Sequence, residues 1–316
     1  MNGRTSITVT IHNRRSKSYL LPTMVSSTAS IISVSTAAST SSLSGGAPKP
    51  VPMAIMRNAH EVIRGAMQDI QEALDKDDFE TAREMWHRFN RFSDLHMKME
   101  EGNKDSNLAG LFGLVDEHRD KAAKKAGLRH QHSNLYELEE DVVDIFEKAP
   151  DVDRAKEVFP IFRQENENHL KEEEDVLMPE IRKMMKSGVQ VKKLIQTEIV
   201  PVLLQNEGDI EFFVRFGNEV LARHESDEKT RVRVWNQALW SLATPEQWKE
   251  WKVWIKDSLS EENNAEVNAA IQGFINEQQI KKSAKSEMPP MPTIDLVKRA
   301  NNPKTFFQRL FSSSSA

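Results

Sequence analysis

The stretch ENENHLKEEEDVLMP, residues 165–179, decides how this chain is read. Phe162, Asn166, His169 and Glu173 recur at helical spacing and run on to Val176 or Leu177. An imidazole and a carboxylate therefore occupy the helix side that should be apolar. A glutamate run on a helix is ordinarily a solvated face, and the sharper reading is that His169 and Glu173 hold a metal ion. The other eight of the nine histidines decide between them.

Three upstream segments repeat the pattern. The first carries Met56, Ile63, Met67, Ile70 and Leu74 with His60 in the same series, at the alternating steps of four and three typical of a bundle seam. The second runs Ala82, Met85, Phe89, Phe92, His96, Met99, with Glu100 one turn beyond His96. The third runs Leu111, Val115, His118, Ala122. Each predicted helix thus turns one histidine inward. A lone inward histidine is usually a hydrogen-bonded core imidazole. Four of them with two carboxylates are different, because each buried polar group left unpaired costs about 1–3 kcal/mol and a buried carboxylate costs more. A metal cluster supplies the missing partner. His96–Glu100 and His169–Glu173 are both i,i+4 pairs, so each pair shares a helix face. With a turn expected between Lys76 and Phe79, His60 and His96 fall at one level of an antiparallel hairpin.

Composition sets the frame. Of 316 residues, 38% are hydrophobic and 29% charged, which allows a core beneath a well-solvated surface. Only 12 Gly and 13 Pro interrupt a chain that reads mostly at helical period, so the expected class is all-α. A net charge of −5 supplies no basic field for nucleic acid. No stretch offers the ~18 uninterrupted apolar residues of a membrane span. Without cysteine, disulfides, thiol catalysis and iron–sulfur ligation are excluded, and any metal must sit on His, Glu or Asp.

Four regions are expected. Residues 1–50 are rich in Ser and Thr, contain Arg4, Arg14, Arg15, Lys17 and Lys49, and precede the first acidic residue, Glu61. That bias suits a plastid or mitochondrial transit peptide, or else a disordered tail of a cytoplasmic protein. Residues 52–185 hold seven histidines, residues 189–281 form a second helical region with five of the six tryptophans, and 282–316 read as a mostly disordered basic tail.

The strings NAHEVIRGAM, DLHMKMEEG, DEHRDK and NHLKEEEDVLMPEI, in that order, resemble the hemerythrin-like, or HHE cation-binding, domain over residues 52–185. The resemblance implies an up-down-up-down four-helix bundle around two non-haem iron ions. His60, His96, His118 and His169 would be terminal ligands, with Glu100 and Glu173 bridging. Glu174 rivals Glu173, since respiratory hemerythrins place that carboxylate five residues after its histidine. Those carriers also have a second histidine four residues after the first on the third helix, where this chain has Ala122. The difference points to sensing, storage or transient binding of iron or a diatomic gas (O2 or NO) rather than oxygen transport. The alternatives are a diiron oxidase or peroxidase, and a metal-free helical scaffold. Two Fe²⁺ against two glutamates leave positive charge for hydroxide, water or an added ligand, and would keep both glutamates ionised. The same donors also suit manganese and zinc.

The remaining histidines read differently. His87 lies off its stripe and is expected in solvent. His130 and His132 fall in the broken connector GLRHQHSNLYELEEDVVDIFEKAPDVDRAKEVFP and are also expected exposed, with a loose metal contact as the alternative; Gly127, Pro150 and Pro160 puncture it. His12 is in the tail. His224–Glu228 repeats the ligand spacing, but the matching offsets fall on Gly188, Glu246 and Val297, so no second site is expected. Thr244, Pro245 and Gln247 spell a helix start with a capping box. Trp248, Trp251 and Trp254 then form a stripe assigned to helix packing, with a protein-partner surface as the alternative.

Overall fold

A computed structural model describes residues 54–286, except 104, 149 and 225–229. The expected leader 1–50, with His12, the greater part of the basic tail, and Glu228 lie outside the described residues. All described regular structure is helical: α1 (Ala54–Asp75), α2 (Phe79–Glu101), α3 (Gly110–His118), α4 (Ala122–Lys125), α5 (Leu128–Val143), α6 (Val152–Lys186), α7 (Val191–Leu194), α8 (Val200–Leu203), α9 (Asp209–His224), α10 (Thr230–Leu242), α11 (Pro245–Ser258) and α12 (Glu261–Ser286). Single π-helical turns at Asp144–Lys148 and Ile195–Ile199 extend α5 and join α7 to α8.

The α1–α2 hairpin forms where the periodicity places it. Asp78 caps α2 by accepting from the Thr81 amide. Every member of the α1 stripe is buried, His60 included. The α1 helix is also buried on a second side, through Ala59, Val62, Ala66 and Ala73, because α9 and α10 pack there while α2 and α6 take the first side. Gly65 permits that approach, since a Cβ on it would sit 2.8 Å from both Val220 Cγ1 and His224 Cδ2. Phe92 of α2 stacks on Phe213 of α9 at 4.8 Å, and Arg88 and Arg91 lie over the rings of Phe216 and Phe212. The second helical region therefore packs directly against the histidine-bearing helices.

Two expectations about the middle of the chain are corrected. The segment from Leu111 to Ala122 is not one continuous helix. It stops at His118, and Asp120 and Lys121 both take left-handed backbone (φ 50° and 57°) that reverses the chain. Asp116 holds this turn, accepting from the Lys124 amide and pairing with Arg129. The helix that instead pairs with α6 is α5, inside the stretch expected to be broken. Pro160 does not break α6, which starts at Val152 under an Asp151 cap and runs 35 residues through Pro160 and Pro179. Pro160 is exposed, so its ring projects from the outer side of α6 and not into the core.

The helix start at Thr244 and the packing of the tryptophan stripe are found as the sequence implies. Thr244 and Gln247 form a reciprocal capping box with Pro245 at the first helical position. Trp251 and Ile255 are buried where α11 meets α9, with Trp248 and Trp254 half-buried beside them.

Candidate metal centre

Five of the six residues singled out in the sequence meet inside the helices: His60 from α1, His96 and Glu100 from α2, His169 and Glu173 from α6. The sixth, His118, does not join them. It is exposed at the end of α3, beside Arg119 and Glu180, where the helix ends and the chain reverses at Asp120 and Lys121. His132 of α5 stands among the five instead, fully buried, which also corrects the expectation that it faces solvent. The α3 helix still covers the site, with Phe112 packing its ring 5.1 Å from that of His132.

Two groups of potential ligand atoms result, each within 4.8 Å: His60, His96, Glu100 and Glu173, and Glu100, His132, His169 and Glu173. The two glutamates belong to both. Glu100 turns Oε1 to His96 Nε2 and Oε2 to His132 Nε2, each at 3.4 Å. Glu173 turns Oε2 to His60 Nε2 at 3.4 Å and Oε1 to His169 Nε2 at 3.3 Å and His132 Nε2 at 3.7 Å. Two donors each about 2.1 Å from one ion stand about 3.0–3.4 Å apart at ordinary coordination angles, so most of these separations fit shared ligation.

The donor set passes a second test. His60 Nε2, both nitrogens of His96 and all four oxygens of Glu100 and Glu173 are buried without a hydrogen-bond partner. Such atoms are rare and costly unless something binds them. The outward ring nitrogens are, by contrast, mostly anchored. His60 Nδ1 lies 3.0 Å from Glu174 Oε1, His132 Nδ1 2.8 Å from Glu101 Oε1, and His169 Nδ1 2.9 Å from Gln131 Oε1. Backing of this kind fixes a metal-ligating imidazole in tautomer and orientation. The two rival glutamates are placed differently. Glu173 points inward, while Glu174 binds His60 from outside and is held by Arg64, whose guanidinium also grips Glu167 and Glu61.

Electrostatics agree with a site built for positive charge. Burial works against a charged His132, yet Glu100, Glu101 and Glu173 outweigh it and raise its pKa to about 11. Burial likewise opposes charge on His60, and Glu173 and Glu174 overcome it to give about 9. Burial and the neighbouring cationic imidazoles push His96 well below its ordinary value. Of the two carboxyls, burial and the charge of Glu173 raise Glu100. Glu173 goes down despite burial because His169, His132 and His60 surround it. Protons on His60 and His132 thus supply the positive charge that a cation would otherwise bring.

The other described histidines stand apart from this cluster. His87 is exposed 3.5 Å from Glu147, His130 is exposed, and His224 bonds to Asp69 at 2.8 Å. Among the described residues neither potential metal group includes any of these three. No helix among the described residues is long and apolar enough to cross a membrane. No protein-family model matches the chain, and neither a curated protein nor a solved structure matches it.

Proposed function

We propose that this chain is a hemerythrin-like protein that binds two non-haem iron ions and senses, stores or transiently binds iron or a diatomic gas such as O2 or NO. The observation that carries the reading is the division of each buried carboxylate: Glu100 and Glu173 both present one oxygen to the His60–His96 pair and the other to the His132–His169 pair. His60 and His96 would hold one ion, His132 and His169 the other, and the two glutamates would span them. Imidazole and carboxylate donors without thiolate suit iron, and also manganese or zinc. An iron pair would supply redox chemistry and open coordination positions. The protein's own part is to orient His60, His132 and His169 through Glu174, Glu101 and Gln131 and to exclude bulk water. No donor is more than 5% exposed, which restricts any added ligand to a molecule of a few atoms.

Metal quantitation on protein produced with iron, paired with optical spectra before and after air exposure, tests the reading. Two irons per chain and an air-dependent charge-transfer absorption are expected; Glu173→Ala, in a residue shared by both groups, should lose both, and His96→Ala should lose the absorption and one of the two irons. Protein that retains no transition metal under these conditions would leave only a hydrogen-bonded scaffold.

A further inference from the structure

The four histidines are not equally supported. A neutral imidazole that ligates through Nε2 carries its proton on Nδ1 and needs an acceptor there. At the His132–His169 pair both acceptors are present, the Glu101 carboxylate and the Gln131 amide oxygen. They flank the ligands in sequence, Glu101 directly after Glu100 and Gln131 directly before His132, so the helices that bring the donors also bring their backing. At the other pair, His60 Nδ1 has the Glu174 carboxylate, whose Oε1 also receives Arg64 Nη1 at 2.8 Å. His96 has none. Its Nδ1 is buried and no described residue accepts from it, although its Nε2 faces Glu100.

We propose that the two metal positions are inequivalent, with the His132–His169 position retaining its ion and the His60–His96 position exchanging its ion with the surroundings. This rests on the metal-binding reading above. Loss of one such backing partner commonly costs 10–100-fold in metal affinity, so the two positions should differ by about that factor. Ligation through His96 Nε2 strands a buried N–H, while ligation at His132 or His169 strands nothing. A divalent first-row ion therefore fills the α5–α6 side first, and the α1–α2 side responds to metal at concentrations about 10–100-fold higher.

The test is an anaerobic titration of the metal-free full chain with Co²⁺ against a competing chelator, followed by the visible absorption of the bound ion. Two steps separated by about 10–100-fold are expected. His96→Ala should remove the weaker step and keep the tighter one. Glu101→Leu, a substitution at the half-buried end of α2 that leaves all six donors in place, should weaken the tighter step until the two merge. Glu174→Leu should weaken only the weaker step. Two ions bound with one affinity, or loss of the tighter step in His96→Ala, would overturn the inequivalence and leave the metal reading standing. Failure to bind Co²⁺, Fe²⁺ or Zn²⁺ at all would overturn both.

Discussion

The Nε2 atoms of His132 and His169 stand 2.9 Å apart, each on a ring whose Nδ1 is already anchored to another side chain. Two histidines locked from behind and aimed at one point are arranged for a shared guest. His132→Ala is therefore expected to lower metal affinity by more than about 100-fold, beyond the effect of losing a backing group alone. His118→Ala, at the exposed end of α3, should leave affinity within a factor of about two. Metal content after equilibration with a chelator measures both, and equal losses in the two variants would contradict the assignment of His132.

Stability should also vary with pH through a group remote from the ligands. Burial and the charge of Asp94 raise Glu139 from its ordinary 4.5 to about 7. Between those two values the folded protein keeps a proton that the unfolded chain has released. Stability from this group is thus greatest below about 4.5 and is lost as pH rises to about 7, with no further change above. Glu139→Gln should flatten that slope and raise the denaturation midpoint above pH 7. Urea titrations of the metal-free protein from pH 5 to 8 compare the two chains; an unchanged slope would count against a half-buried, proton-holding Glu139.

Gly102 ends α2 two residues after Glu100, at φ 81° and ψ −168°, a region that only glycine occupies at low cost. A Cβ there would sit 2.2 Å from the Leu108 carbonyl oxygen, across the small loop closed by the Asn103–Leu108 pairing. Gly102→Ala should cost about 3 kcal/mol or more and weaken metal binding through the displaced end of α2. Thermal unfolding and a Co²⁺ titration read both effects. A variant as stable as the parent would mean that the loop relaxes freely.

The Phe92–Phe213 stack ties the histidine-bearing helices to the second region. Phe92→Ala should cost about 3–5 kcal/mol, the range for a fully buried ring. It should move a single unfolding transition seen by both circular dichroism and tryptophan fluorescence. A split into two transitions, with only one displaced, would show that the regions unfold separately.

Much of the site was legible because its residues obey helical arithmetic. The stripes of α1 and α2, the short turn between them and both His-x-x-x-Glu pairs could be read from spacing. His132 was readable in principle, since Leu128, His132, Leu135 and Val142 are all buried on one face of α5. Two things hid it. Gly127 and Pro150 do interrupt the chain, but at the two ends of the α5 segment rather than within it, and Pro160 sits on an exposed side of a continuous α6. The rival series through His118 fitted equally well, and nothing about Asp120 and Lys121 announces that two non-glycine residues will turn left-handed. Glu174, Gln131 and Glu101 were illegible as backing groups for a different reason. For Glu174 and Glu101 their charge suggests solvent, and for all three only tertiary packing brings them to an imidazole.

The glycine notch at residue 65 has a mechanical corollary. With α9 seated against it on one side and His60 facing the donors on the other, α1 has no room to roll about its long axis. A shift large enough to reseat the His60 ring must push Val220 and His224 as well. The first helix is in that sense a shaft gripped at both flanks, and movement at the ligands reaches the C-terminal helices through rigid contact rather than along a linker.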